Sequence, residues 1–220
     1  MTAENQEPSD EELARKAQAG CSSSFEELVH RYEARVFRFV ANNCRSPSDA
    51  QEVTQDAFVS VYRSLEKFDI GRSFETWLFT IARRKCIDHH RSVRLASGEV
   101  LPEEVDANDP AELLAQREAE GDLWQLAKRA LPSLQFEALW LRHAEDMSVA
   151  EVAQVLRRTK IHVKVLLFRA RLGLDAELTA RRRVSETSGT NGKPVSVTQS
   201  RMASSRFAHT VVEARPGVQL

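Results

Sequence analysis

The chain has 220 residues, 42% of them hydrophobic and 29% charged, enough for one or two compact domains of ~100–200 residues each. Eight Gly and seven Pro exclude collagen-like and low-complexity architectures, and no apolar run approaches the ~20 residues that cross a bilayer. The net charge of −1 conceals a segregation: residues 1–66 carry −5, residues 67–94 carry +4, residues 95–122 carry −8 and residues 152–183 carry +7. Fields decay over a Debye length of ~8 Å in cell-like salt, so the local balance governs contact with polyanions and two basic modules flank an acidic connector.

The opening MTAENQEPSDEELARK is acidic and polar, unlike a secretory signal, so the chain is expected in the cytoplasm with no membrane insertion. Asp10 is placed to cap a short helix over EELARKAQ. Ser22 to Ser24 then lead into a longer one, in which Phe25, Leu28, Val29, Tyr32, Val36, Phe39 and Val40 recur at helical spacing. Ser46-Pro47-Ser48-Asp49 is a turn and cap before a third helix with Val53, Ala57, Val61 and Leu65 in register. The stretch Phe68-Asp69-Ile70-Gly71-Arg72 breaks the pattern, and Ser73 can cap the helix FETWLFTIARRKCIDHHRS. Residues 93–119, with Gly98, Pro102 and Pro110 among carboxylates, read as a linker too polar to pack a core. A second helical cluster occupies 120–178, and residues 179–220 read as a mostly disordered extension. No period-two alternation long enough for a strand is present, so the expected class is all-α, two helical domains joined by a flexible acidic linker.

Within the second cluster, Ser148-Val149-Ala150-Glu151 is a capping box ahead of the apolar face Val152, Val155 and Leu156. Arg157-Arg158-Thr159 has the length of the turn between crossed helices, and Thr159 can cap a second helix rich in Lys and Arg. This is a helix-turn-helix, whose second helix would enter the DNA major groove. Stepping ~100° per residue along that helix gives two apolar stripes. One is Val163, Leu167, Ala170 and Leu174, expected in the core; the other is Ile161, Val165 and Phe168, expected to need a cover, from a partner protein or from the tail segment Phe207 to Val212.

Catalysis has no candidate machinery, since no Ser/His/Asp set, paired carboxylates or phosphate-binding Gly loop is found. The three cysteines Cys21, Cys44 and Cys86 include no CxxC and read as reduced thiols. Cys86, His89 and His90 share one helical turn or so, but two or three such ligands do not close a tetrahedral metal site. The expectation is therefore a protein that is not an enzyme and uses no cofactor or metal.

The run DAQEVTQDAFVSVYRSLEKFD, then FETWLFTIARRKCIDHHR, then LPSLQFEALWLRHAEDMSVAEVAQVL and VKVLLFRAR, closely resembles the extracytoplasmic-function subfamily of bacterial RNA polymerase sigma factors, over residues 10–92 and 120–178. The resemblance implies a first domain for the polymerase clamp and the minus-ten promoter element, and a second for the minus-thirty-five element. It implies that Asp49, Gln51, Glu52, Gln55 and Asp56 face the clamp. It also implies that the loop Phe68, Asp69, Ile70, Arg72 and Ser73 captures a flipped base, where stacking surface is worth ~1–3 kcal/mol. Arg83, Arg84, His89 and Arg91 would follow phosphates of duplex and melted DNA. Minus-thirty-five contacts would fall to Thr159, Lys160, His162, Lys164, Arg169 and Arg171. Implied partners are core RNA polymerase, promoter DNA and an anti-sigma factor.

The chain departs from this pattern where Arg157-Arg158-Thr159 replaces a Gly-Ile-Ser-like turn; if position 157 takes positive φ, Arg costs on the order of 1 kcal/mol relative to Gly. Val165, Leu166 and Phe168 stand where polar or basic residues are usual. The implied function is a promoter-specificity subunit that recognises and melts the minus-ten region. The alternatives are a helical adaptor derived from such a factor, which binds polymerase or a regulator without directing initiation, and a stand-alone helix-turn-helix repressor.

Overall fold

The computed structural model describes residues 7–97 and 118–188, and among them it is all-α. The first lobe contains α1 (Asp10–Gln18), α2 (Ser22–Ala41), α3 (Pro47–Ser64) with a 3₁₀ turn at Leu65–Lys67, and α4 (Phe74–Ser97). The second contains α5 (Glu118–Ala130), α6 (Ser133–His143), α7 (Val149–Leu156) and α8 (Lys160–Ser188). No helix of the described residues is long and apolar enough to cross a membrane.

Local chemistry sets the helix starts. Ser9, not Asp10, caps α1: its hydroxyl accepts from Glu12 N–H, and Glu12 accepts from Ser9 N–H, so both amides are satisfied by a capping box. That leaves the Asp10 carboxylate to receive Tyr32 Oη at 2.5 Å and Arg31 Nη1 at 2.9 Å, which ties α1 to α2. Ser46 caps α3 with Pro47 at the first helical position, where no amide proton is needed.

Leu28, Val36, Phe39 and Val40 of α2 meet Ala50, Val53, Ala57 and Val61 of α3 and Phe74, Leu78, Phe79 and Ala82 of α4, all buried. Each large side chain contributes ~1.5–3 kcal/mol on full burial. In the second lobe Phe136, Leu141, Val152, Leu156, Val163 and Ala170 form the corresponding interior. α8 approaches the end of α5 closely at Gly173, where a Cβ would lie 2.8 Å from Leu131 Cδ2.

Two element boundaries differ from the sequence reading. The centre of the predicted linker, 98–117, lies outside the described residues, but its ends are helical, because α4 continues to Ser97 and α5 begins at Glu118. The tail predicted from residue 179 starts as helix, with α8 running on through TARRRVSETS to Ser188, although the packed unit ends at Leu178. That stretch contains no Gly or Pro, so a polar composition does not by itself break the helix. Residues 189–220, including the segment Phe207 to Val212, lie outside the described residues.

The two lobes are packed together. Buried residues of both form one continuous apolar cluster, with α4 seated against α7. Charged contacts accompany it: Arg35 of α2 with Glu145, which follows α6, Arg83 of α4 with Glu137 of α6, and Lys128 of α5 with the Ala41 carbonyl at the end of α2.

Candidate nucleic-acid interface

The first face belongs to α3. Gln51, Glu52, Gln55 and Asp56 are exposed and Asp49 is half-buried, since they occupy the side of the helix opposite Ala50, Val53, Thr54 and Ala57. Asp49 and Asp56 are also partnered from α4: His89 Nε2 lies 3.7 Å from Asp49 Oδ2, and Lys85 Nζ lies 3.8 Å from Asp56 Oδ2. The acidic row of α3 and the basic row of α4 thus share one groove, which Glu52 and Asp88 also line.

The loop after α3 is a braced turn. Gln18 Nε2 donates to the carbonyls of Leu65 and Phe68 at 2.8 and 2.9 Å, and Glu11 Oε1 accepts from Phe74 N–H at 3.2 Å. Asp69 folds back on the loop: its carboxylate accepts from Gly71 N–H and pairs with Arg72, while its carbonyl accepts from Arg72 N–H. Asp69 and Arg72 are exposed, and Ile70 packs partly into the core.

Two residues of this predicted set also carry structural contacts. Phe68 is 5% exposed, its ring stacked among Phe74 and Trp77, so it is a core side chain and offers a base no stacking face. Ser73 uses its hydroxyl as the cap of α4, accepting from Thr76 N–H at 3.1 Å. Of the three aromatics only Trp77 is partly open.

Along α4, Arg84 and Arg91 are exposed, and Arg84 keeps a loose contact with Asp88 at 3.8 Å. Arg83 differs: its side chain is 16% exposed and its Nε sits 2.7 Å from Glu137 Oε2. The basic row therefore has one member turned into the second lobe. His90 is half-buried, and its ring donates to the Asn43 carbonyl; burial pushes its pKa below the usual histidine value.

In the second lobe the helix-turn-helix is formed as the capping box predicts. Ser148 Oγ accepts from Glu151 N–H at 3.3 Å and Glu151 Oε2 from Ser148 N–H at 2.8 Å. Arg157 ends α7 in the left-handed region, φ 51 and ψ 48, so the position that would suit Gly carries Arg at a cost on the order of 1 kcal/mol. Thr159 Oγ1 accepts from His162 N–H at 3.2 Å and starts α8. Thr159, Lys160, His162, Lys164, Arg169 and Arg171 are all exposed. The core stripe of α8 is Val163, Ala170 and Leu174, with Leu166 buried and Leu167 half-buried. Ile161 and Phe168 are 77% and 60% exposed, and with Val165 and Leu172 they form an apolar stripe between the cations.

Sequence reasoning missed the charges that join the lobes. Glu145 is among the few buried charged residues described, its side chain 1% exposed; it accepts from Arg35 Nε at 2.9 Å and from Trp140 Nε1 at 3.0 Å. Arg35 also pairs with Glu75 of α4 and lies over the Tyr32 ring. Burial alone would lower the Arg35 pKa, but Glu75 and Glu145 outweigh it and the pKa rises, fixing the positive charge at the junction. In sequence Glu145 sits in a polar loop, and nothing local distinguishes it from a solvated carboxylate.

Comparison with known proteins places these elements in a family. The model of sigma-70 region 2 matches residues 28–95, and that of sigma-70 region 4 matches residues 122–174, together more than half of the chain. The chain is 31% identical over 164 residues to the ECF RNA polymerase sigma factor BldN of Streptomyces coelicolor, covering 72% of this chain and 62% of that one. It is 29% identical over 185 residues to the ECF RNA polymerase sigma-E factor of Escherichia coli K12, covering 76% and 92%. Among solved structures, CnrH in complex with the cytosolic domain of CnrY is similar at 26% identity with a TM-score of 0.58, covering 78% of this chain and 97% of that one.

Proposed function

The chain belongs to the sigma-70 family of RNA polymerase sigma factors, in its extracytoplasmic-function subfamily, and we propose on that premise that it is a promoter-specificity subunit acting with core polymerase in the cytoplasm. It is not an enzyme; binding energy is spent against base-pair opening. The α3 face Asp49, Gln51, Glu52, Gln55 and Asp56 meets the polymerase clamp. Asp69 and Arg72 read a base extruded from the minus-ten strand while the α4 cations Arg84 and Arg91 hold phosphates. Thr159, Lys160, His162, Lys164, Arg169 and Arg171 address the minus-thirty-five duplex, where phosphate contacts position the helix and base edges specify it.

The observation that carries this reading is the open, cation-lined start of α8, set by two side-chain caps and a left-handed Arg157. The Arg83–Glu137 pair adds a condition. In the packed state one α4 cation is withheld from DNA, and Arg83 joins the row only once its pair with Glu137 opens.

The exposed stripe Ile161, Val165, Phe168 and Leu172 supports a second element of the reading, a seat for an anti-sigma protein, since an apolar row reads no phosphate and touches little on bases except thymine methyl groups. The same stripe motivates the rival, an adaptor that binds polymerase without directing initiation. In vitro transcription with core polymerase on a promoter pool separates them. A promoter-specificity subunit yields discrete starts that share an upstream motif. Core binding without discrete starts would establish the adaptor, and tight duplex binding without polymerase would establish a repressor.

A further inference from the structure

The loop between α3 and α4 that is proposed to capture a base runs from Asp69 to Ser73, and both of its ends are fastened to α1. At the entry, Gln18 Nε2 donates to the Leu65 carbonyl at 2.8 Å and to the Phe68 carbonyl at 2.9 Å, which uses both protons of one amide nitrogen. At the exit, Ser73 caps α4 through the Thr76 amide. The first amide of that helix, Phe74 N–H, has no acceptor within its own turn, and Glu11 Oε1 supplies one at 3.2 Å. The Phe68 and Phe74 rings meet edge to face at 5.6 Å, closing the two ends of the loop on each other. α1 is itself tied to α2, where Asp10 accepts from Tyr32 and Arg31.

We infer that Gln18 and Glu11 are positioning residues that set which base is accepted at the captured nucleotide without touching DNA, a role that rests on the capture reading of the loop given above. Asp69 and Arg72 are not independent readers. The Asp69 carboxylate accepts from Gly71 N–H at 3.0 Å and lies 3.2 Å from Arg72 Nε, so the two side chains form one unit. Gly71 suits that unit, since a Cβ there would lie 3.3 Å from Asp69 Oδ1. The unit is oriented by the backbone on either side of it, which Gln18 and Glu11 hold, with Ile70 as an apolar peg between them.

Two interactions with DNA then separate. Attraction of phosphates to Arg84 and Arg91 is long-ranged, tolerates displacement and acts on any strand. Base discrimination is short-ranged, because hydrogen bonds weaken outside about 2.7–3.2 Å and steeply below about 120°. A wrong base is rejected only when it leaves a fixed polar group unpaired, so a displaced loop would let Asp69 and Arg72 follow a wrong base and satisfy it. α1 governs which base is held, and α4 whether a strand is held.

The test uses the full chain with core polymerase and a pool of randomised single-stranded DNA, sequencing the strands retained. The position whose base preference Asp69→Ala removes identifies the captured nucleotide. Gln18→Met and Glu11→Met should each lower the ratio of preferred to next base there by about fivefold, the worth of one hydrogen bond. Preferences elsewhere, the total strand retained and core affinity should stay at the parent level. Glu11→Gln keeps an oxygen for Phe74 N–H and should restore the parent ratio. If Gln18→Met fails to fold by circular dichroism, the Glu11→Met and Glu11→Gln pair decides. An unchanged ratio in the methionine variants overturns the inference. So does a loss shared by all positions together with core affinity, which marks a role in general stability. If Asp69→Ala alters no position, the capture reading falls and this inference with it.

Discussion

The two basic helices, α4 and α8, are built from similar residues and end in different states. On α8 the cations from Lys160 to Arg171 stand in solvent around an apolar stripe that nothing among the described residues covers. On α4 the row is interrupted, because Arg83 has turned into a carboxylate 54 positions away, Glu137 of the second lobe. The difference teaches that a cationic helix is not by itself an available one. Helical spacing decides which face a residue occupies, and long-range charge decides whether that face is free.

The comparison breaks most sharply at Glu145. Glu145→Ala removes the buried acceptor of Arg35 and Trp140 and should cost about 2 kcal/mol of stability, because buried hydrogen-bonded charges are expensive to strand. A urea titration of the full chain reads this as a lower midpoint. An unchanged midpoint would mean that apolar packing alone joins the lobes.

Glu137→Gln should do the opposite for binding. It keeps the side-chain shape, loses the charge that holds Arg83, and should tighten the complex of core polymerase with minus-ten single strand by about 1 kcal/mol, roughly fivefold. Arg83→Ala in the same assay should weaken it, and equal affinities for all three proteins would show that Arg83 never reaches DNA. On α8, Lys164→Ala should weaken duplex binding almost uniformly across sequences and lower the salt slope by about 1. A sequence-selective loss would instead make Lys164 a base reader.

The smallest effect concerns pH and is shared by both lobes. Burial lowers the pKa of His90 in the first and His143 in the second. A group with depressed folded pKa binds more protons when unfolded, so its contribution is complete above the ordinary histidine value of 6.5 and is lost as pH falls toward the folded values. Stability should therefore decline on acidification below that value, and His90→Asn should flatten part of the slope. A profile unchanged by the substitution would assign the slope to other groups.

The fold was legible wherever local rules act. The Ser148 and Glu151 box, the cap at Thr159 and the apolar spacing of α2 and α3 all follow from neighbours within four residues, and they stand as the pattern implies. Even the strain at Arg157 could be anticipated from the position of the turn. The burial of Phe68 was not legible, because an aromatic in a loop reads the same whether it faces solvent or a Phe74–Trp77 nest. The lobe contacts were illegible for a different reason. Arg35 with Glu145 and Arg83 with Glu137 are ordinary surface types whose burial depends on the packing of helices separated by a segment without pattern.

The brace formed by α1 has a practical meaning for where this protein begins to be itself. Gln18 and Glu11 satisfy two carbonyls and an amide of the segment from Leu65 to Phe74, so the shape of the loop bearing Asp69 and Arg72 is set by a helix some fifty residues upstream. A version trimmed to start within α2 would keep every residue proposed to touch polymerase or DNA and yet hand those three backbone groups to water. Its loop would sample many shapes, and each encounter with an extruded base would carry the entropy of choosing one. The minimal unit of recognition is thus longer than the recognising surface, and it begins at Ser9, whose capping box closes the first turn of α1.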